Sequence, residues 1–163
     1  MTLPTHKGQA AITDLFIAIS IFIILVTVTT LTWELYNIQL NTRLDYDDMV
    51  IKSFQISDIL VKSKGTPATW ETDVNNAKVL GLIEKEKHLS EAKVNAFVQD
   101  ITYTQSKDLL KINLYDFYFT IKEADGTPIV SKGIVPTGKF NVNLARVIFY
   151  QNKPRVMEFS LWK

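Results

Sequence analysis

The sequence has 163 residues, 47% of them apolar and 21% charged, with 18 basic against 17 acidic side chains and a formal charge of +1. That length fits one modest domain of ordinary globular composition plus an appendage, and the balanced charge, with no dense Lys/Arg run, leaves no electrostatic footprint for nucleic acid. No cysteine is present, which excludes disulfides, thiolate catalysis and cysteine-ligated metal sites.

The chain opens on a short charged stub, "THKG", and then turns apolar. Between Asp14 and Glu34 no residue is charged; those positions, at about 1.5 Å each, cover roughly 28 Å, the thickness of a hydrocarbon core. A cleavable secretory signal has a shorter apolar run and a small-residue cleavage site beyond it. Here the run passes instead through Thr27, Thr29, Thr30 and Thr32 into Trp33 and Tyr36, which read as interfacial aromatics. Residues 15–33 are therefore expected to span a lipid bilayer once. Lys7 precedes the span, while Glu34, Asp45, Asp47 and Asp48 follow it with only Arg43 against them. The bias in positive charge places the start of the chain in the cytoplasm and the bulk outside the cell membrane.

From Gln9 to Lys64 there is neither glycine nor proline, so one helix of about 55 residues, roughly 80 Å, is predicted. In its outer half Tyr36, Leu40, Leu44, Val50, Phe54 and Val61, widened by Ile51, Ile56, Ile59 and Leu60, predict the covered stripe. Lys62 and Lys64 suit its C-terminal dipole, Gly65 its termination, and Pro67 forbids its continuation.

Residues 65–163 read as an extracytoplasmic α+β domain. Leu89 and Val94 bracket a Ser90 N-cap as a hydrophobic staple, and Val94, Phe97, Val98 and Ile101 give the stripe of a short helix. "TQSKDLL" adds another turn or two. Tyr115, Phe117, Phe119 and Ile121 alternate with Leu114, Asp116, Tyr118 and Thr120 in a strand that enters a hairpin at "ADGT" and returns through "TPIVSKGIV". "NLARVIFY" and "RVMEFSLW", broken at "QNKP", form a second hairpin. The fold class predicted is α+β: a long N-terminal helix, membrane-spanning in its first half, packed on a small antiparallel β-sheet domain of four strands.

Lys7-Gly8-Gln9 in front of an intact span resembles the class III signal peptide of archaeal type IV pilin-like proteins. "G-x-P-x-x-W" (Gly65, Pro67, Trp70), "GL" (Gly81, Leu82), "LSxxK" (Leu89, Ser90, Lys93) and a terminal hairpin ending in Trp162 also resemble the outer domains of that family. The resemblance implies a leader of residues 1–8, cut between Gly8 and Gln9 by a prepilin peptidase, a membrane aspartyl protease. Lys7 would hold the site at the cytoplasmic face, and Gln9 would start a mature helix of residues 9–64. It further implies a structural subunit of a type IV pilus-like surface filament, with identical or homologous pilin subunits, a membrane assembly platform and the lipid bilayer as partners. Two positions depart from the family pattern: Thr13 stands where a glutamate is common, with the carboxylate one place later at Asp14, and Ala10-Ala11 stands where a serine is common.

Asp14 is the residue proposed to pair with a neighbouring subunit; the rival reading is a helix-terminal carboxylate reaching the headgroups. Trp70 reads as a core filler and Asp116 as part of a solvated strand face. His88 reads as a surface residue beside "EKEK", and "DYDD" at Asp45–Asp48 as a solvated helix face lacking the spaced ligands of a calcium loop. His6 goes with the leader, His88 stands alone, and no phosphate-cradling loop or metal motif is present, so neither an enzyme nor a cofactor is expected. The alternative function is a single-span, membrane-anchored extracytoplasmic binding domain that does not polymerise.

Overall fold

A computed structural model describes the backbone of residues 6–137 and 140–163 and the side chains of residues 12–137 and 140–163. The chain divides into two units, Met1–Asp45 and Tyr46–Lys163. A single helix, α1 (His6–Lys62), contributes to both.

The second unit is α+β, with residues 46–62 of α1 packed on a mixed, curled sheet. Its further elements are β1 (Ile83–Lys85), β2 (His88–Leu89), α2 (Glu91–Asn95), a π-helical turn (Ala96–Asp100), α3 (Tyr103–Leu110), β3 (Asp116–Lys122), β4 (Pro128–Gly133), β5 (Asn141–Tyr150) and β6 (Lys153–Trp162). The sheet has six strands in the order β1-β2-β5-β6-β3-β4, two more than the sequence pattern predicts. Nor is it wholly antiparallel, because β2 runs parallel to β5 through the single pair His88–Phe149. "IEKEKHL" conceals these two strands because it is too short and too charged to show an alternating pattern.

Register places apolar residues in rows across the sheet. Val142, Leu161 and Phe117 align, as do Leu144, Phe159 and Phe119, and Phe117, Phe119, Phe159 and Leu161 are wholly buried. Phe97 meets Phe119 edge-on at 5.3 Å, and Phe117 stacks on Phe159 at 5.8 Å, geometries that favour the aromatic quadrupoles.

The stripe of α1 that faces this core is Met49, Ser53, Ile56, Ser57 and Leu60, all buried. Of the predicted stripe, Ile56 and Leu60 are buried and Val50 and Val61 pack against the core, whereas Ile51, Phe54 and Ile59 are exposed, as are Tyr36, Leu40 and Leu44 in the first unit. Two serines let the helix approach the sheet closely, and a hydrophobicity pattern has no means of seeing them. Ser57 Oγ accepts a hydrogen bond of 3.0 Å from Arg146 on β5, whose guanidinium also reaches Asp58 at 2.5 Å.

α1 ends at Lys62, two residues before the predicted end, and Gly65 takes a positive φ of 81°. A side chain at Gly65 would stand 2.4 Å from the Trp70 ring, and one at Gly81 would stand 2.3 Å from the Ser63 carbonyl. Both glycines are thus required by close backbone approach. Leu89 and Val94 are buried as the staple predicts, although the Ser90 hydroxyl makes no capping bond. Thr102 caps α3 by accepting from the Gln105 amide at 3.2 Å.

The last hairpin turns on Gln151 and Asn152 alone, with φ of 52° and 58°, as a two-residue turn with both centres left-handed demands. Lys153 and Pro154, expected in the break, belong to β6. Pro154 lies opposite Phe149, whose own amide points away to the Lys87 carbonyl at 2.8 Å. No ladder bond is therefore lost at the proline.

Candidate functional site

From Ile12 onward α1 is long and apolar enough to cross a membrane, and none of the apolar window is buried within the protein. Phe16, Ile17, Phe22, Ile23, Ile24 and Leu25 expose roughly half or more of their surface, and at about 100° per residue they lie on all sides of the helix rather than on one. A helix apolar all round needs lipid or other helices as its surroundings.

The hydroxyls in this stretch are satisfied by the helix itself. Ser20 donates to the Phe16 carbonyl at 2.8 Å, Thr27 to Ile23 at 2.8 Å, Thr29 to Leu25 at 2.7 Å and Thr32 to Val28 at 2.7 Å. Thr30 reaches the carbonyls of Val26 at 3.0 Å and Thr27 at 2.9 Å. A donor that bonds four residues back presents only its methyl and methylene groups outward. In a medium without water this removes a cost of several kcal/mol per unsatisfied group.

Lys7, Gly8 and Gln9 all lie within α1, whose described backbone runs from His6. The rest of the leader, Met1–Thr5, lies outside the described residues. The Gly8–Gln9 bond thus has helical backbone on both sides, and an extended conformation at that bond requires the helix to open there. Asp14 is exposed on the same helix. It stands more than two turns from His6 and in the second turn of a helix beginning at Gln9, past the first turn over which the dipole acts in either case.

In the second unit, Asp48 accepts from Lys52 at 2.8 Å and from the Tyr115 hydroxyl at 2.7 Å. Those bonds, that of Lys52 foremost, hold its carboxyl below the usual range. "DYDD" thus contributes one anchor between α1 and the sheet. Asp116 is likewise engaged, accepting from Tyr103 at 2.9 Å and Lys107 at 3.0 Å. The Lys107 bond is the main cause of its lowered pKa, while burial pushes Tyr103 up to about 12. His88 is exposed and stacks on Phe149 at 4.9 Å. Trp70 fills the core, its indole N–H donating to the Gly81 carbonyl at 2.9 Å.

Two buried lysines escape sequence reasoning. Lys93 Nζ donates to the carbonyls of Lys64 and Ala68 at 2.6 and 2.7 Å, just past the end of α1, with Glu71 at 3.9 Å. Lys132 Nζ donates to the carbonyls of Phe97 and Ile101 at the π-helical turn. Burial lowers the pKa of both, that of Lys132 to about 8. The available signal was positional: Lys132 shares the inward parity of Val130, and Lys93 stands four residues before Phe97 on the same helical face.

The chain matches no protein-family model, no curated protein and no solved structure.

Proposed function

We propose that this protein is a structural subunit of a type IV pilus-like surface filament. In this reading it is inserted once in the cell membrane with its start in the cytoplasm and cut by a prepilin peptidase between Gly8 and Gln9. The observation that carries the reading is a Lys7-Gly8-Gln9 motif in front of a helix that is apolar all round and whose hydroxyls are internally bonded. Such a helix serves equally in lipid and against its own copies, as a subunit that moves from bilayer to polymer requires. Neither environment asks it to change conformation.

Asp14 discriminates a polymer from a plain anchor. Along a helix it stands about 7.5 Å from Gln9, so an axial shift between neighbours brings the new α-amine of one chain to the carboxylate of another. In water the pair counts for little, but an unpaired carboxylate at mid-membrane costs about 2.5–3.5 kcal/mol, and less toward the surface. A pairing of about 1.4 kcal/mol corresponds to tenfold in assembly. Asp14→Ala is therefore expected to lower recovery in sheared surface filaments by roughly tenfold, with cleavage and membrane insertion unchanged. Equal recovery of variant and native chains in filaments rejects the pairing. Absence of the native chain from every filament preparation favours the membrane-anchored binding domain instead.

A further inference from the structure

The two long edges of the sheet are treated differently. β4 opens at Pro128, ends at Gly133, and has Lys132 tied to the carbonyls of Phe97 and Ile101. Proline and an inward-pointing charge are devices that protect an edge from pairing. β5 has neither on its outer side. It runs from Asn141 to Tyr150 and pairs with β6 throughout, yet among the described residues its other side is met only by β2, at Phe149.

The pattern of ladder bonds shows which groups are left open. Phe149 donates outward to Lys87, so its pairing with Pro154 is of the non-hydrogen-bonded kind, and that kind recurs at every second residue along an antiparallel pair. Val147, Ala145 and Asn143 share that parity. Each directs one N–H and one C=O away from β6. All three are exposed, Val147 by 73%. This is a template for one more strand, collinear with β2, over roughly 20 Å of β5 between Asn141 and Val147.

The end of that template opens into a groove of about 570 Å³ between α1, the β1–β2 hairpin and β5. Lys62, Lys64, Lys85 and Lys87 line it, with Glu84 and Glu86 as the opposing charges, and Val61 and Val147 supply apolar surface. Asp58 is shared between Arg146 and Lys62, at 2.5 and 2.6 Å, so five cations here face three carboxylates. The surplus is positive.

We propose that the open edge of β5, with this basic groove, is a strand-addition site for an extended segment of a partner protein that alternates acidic and apolar residues. Main-chain bonds to Asn143, Ala145 and Val147 would hold the segment, and the lysines would select its charge. The proposal does not rest on the filament reading.

The probe is an end-blocked heptapeptide alternating valine and glutamate, added to the full chain in detergent. Binding is expected to weaken with salt and to slow amide hydrogen exchange at Asn143, Ala145 and Val147, with Leu144 and Arg146, already bonded to β6, unchanged. A peptide with lysine in place of glutamate should bind at least about tenfold more weakly, as should one N-methylated at alternate amides. Ala145→Pro removes one outward N–H at a position where an edge strand accepts proline, and should abolish binding while leaving the unfolding midpoint of the domain within experimental error. Equal binding of the two charge forms, undiminished binding of the N-methylated peptide or by Ala145→Pro, or protection elsewhere overturns the proposal. So does protection of the same three amides that rises with protein concentration without peptide, since a second copy would then occupy the edge.

Discussion

Trp70→Ala is expected to destabilise the second unit by about 4–6 kcal/mol, a large part of the margin of a domain whose total stability is of order 5–15 kcal/mol. Trp70 is completely buried and is wedged against Gly65, which a side chain would push to 2.4 Å from the ring. Truncating a buried tryptophan leaves a cavity the surroundings do not fill, at about 3–5 kcal/mol. The Gly81 carbonyl, which accepts from the indole at 2.9 Å, also loses its donor, adding about 1 kcal/mol. Trp70→Phe keeps most of the volume and should cost about 2 kcal/mol. Urea unfolding of the full chain in detergent, followed by tryptophan fluorescence in a Trp33→Phe background, measures both; a loss below about 1 kcal/mol for the alanine variant contradicts this role.

Lys132→Met should cost about 2 kcal/mol at pH 7, and the cost should grow to about 4 kcal/mol at pH 9.5. The amine is bound to two carbonyls, of Phe97 and Ile101, and lies 4.9 Å from the centre of the Phe97 ring. Methionine fills the space and leaves both carbonyls without a donor. The pH dependence follows from burial, which lowers the pKa of the folded state to about 8 against about 10.4 in an unfolded chain. Between those values the unfolded state binds more protons, so the native protein gains stability as pH rises through 8, by about 2 kcal/mol at 9.5. A neutral amine still has two N–H donors for its two carbonyls. Tyr103, pushed up to about 12, has the opposite sign, but only above pH 10, where the unfolded tyrosine ionises first. The difference between wild type and variant isolates Lys132; a difference constant from pH 7 to 9.5 rejects the account.

Much of this architecture was legible because it rests on local rules. The breaker-free run into Gly65 and Pro67, the Leu89–Val94 staple and the alternation through Phe117, Phe119 and Ile121 each state one element in adjacent residues. Trp70 as a core filler was legible for a similar reason, a large apolar ring between turn residues. What escaped depends on partners distant in sequence. Ser53 and Ser57 set the phase of α1 on the sheet, but a serine declares itself a contact residue only once β5 brings Arg146 beside it. Lys93 and Lys132 read as solvated charges until the helix ends they cap are in place. β1 and β2 are visible only through the strands and loops they meet. At the N-terminal span the apolar length is legible because it is a run of adjacent residues, whereas the bonding of its hydroxyls to carbonyls four residues back is visible only once the helix is built.

The central claim is that the apolar helix is retained on a processed subunit and enters a polymer. Mass spectrometry of the intact chain recovered from sheared surface filaments tests it most directly: the account predicts a mature protein beginning at Gln9, free or cyclised, with residues 9–163 present, and a chain that begins at Met1 and is found only in the membrane fraction contradicts it.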